Sequence, residues 1–185
     1  MKRKQTRIIV AGGIFVAAAL ALSYLKIPIG AGFGGWGGSV DLVMVPLIVY
    51  AVYAGAGWGV AAGLVFGMLK YLIGEGTAIN WISIIFDYAV AYAAVGLAGA
   101  FRGQKWGLPI GALVGCLARF IIHFISGITV YAMWMPEEFL NMTMTNTWLY
   151  SLLYNGTYML PNTILAVVIC AVLQKPLEKY LRAEK

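Results

Sequence analysis

The sequence predicts an all-α integral membrane protein of six transmembrane helices, and three observations lead there. Apolar side chains make up 62% of the chain and charged ones only 11%, against about 45–50% and 25% in soluble domains. The apolar residues gather in six runs, bounded at about 8–25, 40–56, 58–74, 81–100, 108–134 and 147–174, each near the ~20 residues that cross a bilayer. Lysine and arginine fall almost entirely in alternate connections.

The first run follows Lys2, Arg3, Lys4 and Arg7. A basic start of this kind resembles the n-region of a secretion signal, but the run is long and no A-x-A pattern closes it, so it reads as a span. A glycine-rich stretch, Ile29 to Ser39, joins spans one and two and reads as a mobile loop. Span three closes with Lys70 and Tyr71. Span four holds Asp87, and span five holds Arg119 and His123. The six runs use nearly all of residues 1–185, which predicts one membrane domain and leaves no room for a soluble catalytic domain. Cys116 and Cys170 lie within spans, without metal or disulfide spacing, and read as small core residues.

Orientation follows from the basic residues. Lys2, Arg3, Lys4, Arg7, Arg102, Lys105, Lys175, Lys179, Arg182 and Lys185 share one side, while the opposite connections carry Lys26, Glu75, Glu137 and Glu138. Both termini of this multi-pass protein are therefore expected in the cytoplasm. The net charge of +6 is topological and is no argument for a nucleic-acid partner.

This topology assigns depths to the polar residues. Arg119, His123, Gly127 and Tyr131 are spaced by four and share one face of span five. Asp87 and Tyr88 lie about two turns below the outer surface on span four, and Tyr150, Ser151, Tyr154 and Asn155 reach the same depth on span six. All but Arg119 fall in the outer half, so an outward-opening pocket with a polar floor and aromatic walls is the simplest arrangement. A carboxylate, an imidazole, an amide and phenols suit a cationic, hydrogen-bonding heteroaromatic molecule. Phosphorylated ligands suit it poorly, because no basic cluster faces outward. The chain has no phosphate loop, no H-E-x-x-H, no G-x-S-x-G and no His/Cys metal spacing, so no catalytic residue, metal site or cofactor is expected, and energy for uphill transport has to come from elsewhere.

Plainer readings exist for each feature. An Asp87–Arg119 pair locks helix packing, Tyr150, Tyr154 and Tyr158 form an interfacial stripe, and Asn155 bonds across helices. Convergence at one depth favours a site, since independent packing devices would scatter between leaflets. In span one, Gly13, Ala17 and Ala21 recur at spacing four, beside Ala11, Ala18 and Ala19, and make a smooth surface for another helix, either within the chain or in a partner. A proton-coupled carrier using Asp87 and His123, or an intramembrane enzyme using them as acid and base, are the alternatives from other classes.

Three polar motifs resemble a known family. I-F-D-Y-A-V-A-Y from Ile85 to Tyr92, R-F-I-I-H-F-I-S-G from Arg119 to Gly127 and Y-S-L-L-Y-N from Tyr150 to Asn155 are similar to the thiamine-specific substrate-binding component of energy-coupling-factor transporters. G-G-S-V-D-L-V-M-V-P from Gly37 to Pro46 is similar to that family's approach to its second helix, and the resemblance covers nearly the whole chain. It implies a six-helix, non-enzymatic membrane protein that captures thiamine from outside. Partners would be a transmembrane coupling subunit and two ABC ATPases, which alone use ATP. It further implies that Asp87, His123, Tyr150 and Asn155 orient the aminopyrimidine and that aromatic side chains stack on the thiazolium. Arg119 would hold the acidic residue charged, with Tyr88 and Gly127 completing the wall. Trp36 would be the gating aromatic, and Gly13, Ala17 and Ala21 the docking surface for the coupling subunit. The chain departs from the family pattern at Asp87, where a longer glutamate also occurs, at Arg119, where lysine is frequent, and at Tyr131, where a stacking tryptophan is known.

Overall fold

The computed structural model describes residues 2–29, 37–76 and 78–181. Its frame is six helices: α1 (Lys2–Ser23), α2 (Met44–Ala54), α3 (Ala56–Lys70), α4 (Trp81–Phe101), α5 (Gly107–Thr129) and α6 (Thr147–Leu181). Five are long and apolar enough to cross a membrane; α2, with 11 residues, is shorter. At 1.5 Å per residue α2 spans only about 16 Å, roughly half of a hydrocarbon core.

The apolar run predicted at 40–56 is trimmed at both ends for identifiable reasons. Asp41 turns its carboxylate onto the Val43 amide at 3.2 Å, which fixes a turn before the helix starts. At the other end Gly55 takes φ 102°, a conformation that favours glycine, and ends it. Nearly every residue of α2 is buried and it touches all five other helices, so it is the central post around which they pack.

The chain enters α2 along a short antiparallel ribbon, β1 (Ile27–Pro28) against β2 (Ser39–Val40), with Ile27 opposite Val40. A second ribbon, β3 (Glu138–Phe139) with β4 (Met142–Thr143), joins α5 to α6 through Leu140 and Asn141, both at positive φ. Phe139 buries itself edge-on against Tyr150 and Tyr154. Helix α5 stops at Thr129, short of the apolar run's end at 134, and a 3-10 turn follows at Ala132–Trp134. Helix α6 continues past 174 to Leu181. There the Gln174 carboxamide accepts the Leu108 amide at 2.9 Å and satisfies a backbone donor at the start of α5.

Helix α4 is irregular. Asn80 and Ser83 form a reciprocal capping box at its start, Ile85–Val90 is a π turn, and Gly96–Phe101 is 3-10. Helices α3 and α4 lie backbone to backbone. A Cβ at Gly63 would collide with the Tyr92 carbonyl, and one at Gly67 with the Tyr88 carbonyl.

Candidate functional site

One cavity of about 360 Å³ opens at the end of the bundle where α1, α3 and α5 finish and α2, α4 and α6 begin. That volume falls within the range of sites for small organic ligands. The cavity is lined by Asp87 and Tyr88 from the π turn of α4, by Arg119, His123, Ser126 and Gly127 from α5, and by Tyr150, Ser151, Tyr154, Asn155 and Tyr158 from α6. Of the residues singled out in the sequence, Asp87, Tyr88, Arg119, His123, Gly127, Tyr131, Tyr150 and Asn155 all meet there. Trp36 lies outside the described residues, as does most of the Ile29–Ser39 loop.

Each side chain is delivered by local structure. The wider π turn at Ile85–Val90 carries Asp87 and Tyr88, and such turns recur at functional sites. Asp87 meets His123 at 3.1 Å, and Arg119 Nε donates to His123 Nε2 at 3.2 Å. A guanidinium has no acceptor, so Nε2 must carry the lone pair and the ring proton sits on Nδ1, facing the carboxylate. His123 is thus a neutral link between a cation and an anion, and the relation between Asp87 and Arg119 runs through it. Arg119 also donates to the Tyr92 hydroxyl at 3.0 Å and lies over the Tyr92 ring at 4.1 Å. Two buried polar atoms at the cavity, Arg119 Nη1 and Ser126 Oγ, have no hydrogen-bond partner among the described residues. Such atoms are costly unless a water or ligand meets them.

The α6 wall is a ladder of phenols. Tyr150 stacks on Tyr154 with centroids 5.6 Å apart, and Tyr154 meets Tyr158 edge-on at 5.9 Å. The Tyr158 hydroxyl donates to Asn155 Oδ1 at 2.6 Å, while Asn155 Nδ2 donates to the Ser151 carbonyl at 2.9 Å. Just beyond α5, burial and then the Asp87 charge hold the Tyr131 phenol above its usual range, so it stays a neutral donor.

Lys26, Ser39, Asp41, Lys70, Ser126 and Tyr92 also line the cavity, and none of them was picked out as a binding residue from sequence. Asp41 was discoverable as a carboxylate inside an apolar run, and Tyr92 as the residue one turn from Tyr88. Lys26 and Lys70 bring two basic side chains to the cavity. Lys70 is neutralised by Asp41 at 3.8 Å and lies near the rings of Phe66 and Tyr92.

The first helix turns Gly12, Val16 and Ala19 inward, while Gly13, Ala17 and Ala21 remain exposed on its other side. Among the described residues, nothing lies within 4 Å of a Cβ built at Gly13. Cys116 and Cys170 are buried free thiols, and no metal-ligating cluster occurs among the described residues.

A bundle of membrane-length helices around a ligand-sized, aromatic and polar cavity defines a membrane protein that binds or moves a small molecule. Comparison with known proteins makes this specific. The chain belongs to the thiamine transporter protein family (Thia_YuaJ), whose model matches residues 9–182. It is 30% identical to the thiamine transporter ThiT of Bacillus subtilis over 162 residues, covering 80% of this chain and 81% of that protein. It is also 30% identical to ThiT of Lacticaseibacillus paracasei, over 93% of this chain and 89% of the relative. The solved structure of ThiT from Listeria monocytogenes superposes with a TM-score of 0.80 at 24% identity, covering 96% of this chain and 98% of that one, and so shares the fold. The chain is accordingly a multi-pass membrane transport protein and not an enzyme.

Proposed function

We propose that this protein is the thiamine-binding membrane component of an importer. It captures thiamine from outside the cell and passes it to a coupling module made of a transmembrane subunit and two ABC ATPases. It has six passes in the prokaryotic cell membrane, with α2 enclosed as one of them, both termini in the cytoplasm and the cavity facing outward. It uses no cofactor of its own, and ATP is consumed only by the partner subunits.

The observation that carries this reading is the Arg119–His123–Asp87 chain set beside stacked phenols in one cavity. Thiamine joins an aminopyrimidine, which donates and accepts hydrogen bonds, to a cationic thiazolium. Asp87, backed by His123, and the Tyr150 and Asn155 groups suit the first ring. Tyrosine faces suit the second, with cation–π attraction of about 0.5–2 kcal/mol per contact. Arg119 holds His123 in the tautomer that donates to Asp87, which keeps the carboxylate in place. Tyr88 and Gly127 bound the remaining wall, and Trp36 is assigned to the mouth. The exposed Gly13, Ala17 and Ala21 face offers the close approach a docking helix needs. Basic residues near both termini and at Arg102 and Lys105 support the orientation.

Reconstitution in vesicles tests the coupling. The chain alone is expected to bind thiamine without accumulating it, and accumulation is expected only when the coupling subunit, both ATPases and ATP are present. Accumulation by the chain alone under a proton gradient, abolished by a protonophore, would replace this mechanism with a proton-coupled one.

A further inference from the structure

The phenol stripe of α6 continues one step beyond the cavity. Tyr154, Tyr158 and Asn162 stand at spacing four, and each holds a successive part of the chain that enters α2. The Tyr154 hydroxyl donates to the Gly37 carbonyl. Gly38, at φ 91°, lies flat on Tyr158, where an added Cβ would sit 2.5 Å from the ring. Asn162 Nδ2 donates to the Ser39 carbonyl at 2.7 Å, and Asn162 Oδ1 accepts the Asp41 amide at 2.9 Å.

The Asn162 contact has a recognisable geometry. In an extended strand the carbonyl of one residue and the amide two residues later face the same edge. Strand β2 already pairs with β1 on its other edge. The Asn162 carboxamide therefore stands in for a neighbouring strand, contributing one donor and one acceptor. Asp41 is held a second time by Lys70 from α3, and its carboxylate accepts the Ser39 hydroxyl at 3.1 Å. Ser39 and Asp41 line the cavity, whereas Asn162, 1% exposed, does not.

We propose that Asn162 is a positioning residue of the binding site: it sets the wall formed by Gly37 to Asp41 and so governs ligand affinity without touching the ligand. This rests on the assignment of thiamine to the cavity. An asparagine buried in a membrane helix and spent wholly on two backbone groups 121 and 123 residues away in sequence is a specific fastener. Leucine would fill the same space without holding the strand.

The test is equilibrium and stopped-flow thiamine binding to detergent-purified protein, with ligand-free thermal unfolding of each variant. Asn162→Ala is expected to weaken binding by about tenfold, mainly through faster dissociation. Asn162→Gln, which keeps both groups, is expected to recover most of that loss. Leu108→Ala, a buried change at the opposite end of the bundle, is expected to lower the unfolding temperature while keeping wild-type affinity. Should Asn162→Ala fail to fold, Asn162→Leu, which fills the same space and offers neither group, is judged by the same criterion. Wild-type affinity in Asn162→Ala, or in the variant that replaces it, or an equal loss in Leu108→Ala, overturns the positioning role. A wild-type protein that binds no thiamine in the same titration overturns the ligand assignment itself, and this proposal with it.

Discussion

The α3–α4 seam and the α5–α6 seam solve helix packing in opposite ways. In the first, glycines bring two backbones into contact, and Gly63 and Gly67 rest directly on the Tyr92 and Tyr88 carbonyls. In the second, polar side chains span the gap: Ser151 donates to the Phe124 carbonyl at 2.9 Å and Asn155 to the His123 carbonyl at 3.4 Å. A glycine seam excludes everything, including ligand. A polar seam joins its helices through side chains, and Ser151, Asn155 and their neighbours on it also furnish part of the cavity lining. The rigid seam has a second effect, because the carbonyls that Gly67 and Gly63 touch belong to Tyr88 and Tyr92, either side of the end of the π turn that carries Asp87. Packing on one side of α4 thereby registers the site on the other.

Substitutions at the two seams separate these roles. The largest effect is expected from Gly67→Ala, where the new methyl meets backbone that cannot swing aside. A loss of about 3 kcal/mol or more, seen as a lower unfolding temperature and poor recovery of monodisperse protein, is the expected outcome. Asp87→Asn comes next: the fold is retained, and thiamine affinity falls by about 1.5–3 kcal/mol as a charge-assisted hydrogen bond is lost. Isothermal titration reads this directly, and unchanged affinity would return Asp87 to a packing role.

Gly127→Ala is the matched counterpart of Gly67→Ala. Its methyl meets side chain rather than backbone: the Ser151 hydroxyl, which can rotate away at the expense of its bond to Phe124, and the Ser151 Cβ at 2.8 Å, which clears only if α6 shifts slightly. A stability loss of about 1–2 kcal/mol, smaller than at Gly67, is expected, with a narrower cavity and weaker binding. Equal losses at Gly67 and Gly127 would erase the distinction between the seams. The smallest effect is expected from Arg119→Lys, which keeps the cation but loses the planar fork between His123 and Tyr92. Affinity should fall by about 1 kcal/mol or less, with little change in unfolding temperature.

Much of this was legible in the sequence. Asp87, Arg119 and His123 are conspicuous because charge inside apolar runs is rare, and the spacing of Tyr150, Tyr154 and Tyr158 places them on one face without any structure. The helices that face lipid declare themselves by length. What stayed hidden depends on tertiary contact. No pattern in I-F-D-Y-A-V announces a π turn, because that turn is imposed by the packing of α4. The shortness of α2 was masked by apolar residues on either side of the helix, and its enclosure by five neighbours is a property of the bundle. Lys70 looked like the outer end of span three until Asp41 was found opposite it. The interposition of His123 between Asp87 and Arg119 requires coordinates, since spacing alone is equally consistent with a direct pair.

The most direct test of the central claim is a titration of the purified chain with thiamine, followed by quenching of tryptophan fluorescence, with pyrimidine-only and thiazole-only fragments alongside. Saturable binding of intact thiamine by the isolated protein, with both fragments binding far more weakly, is the predicted result. Folded protein that binds neither thiamine nor the fragments would contradict the assignment of this cavity to thiamine.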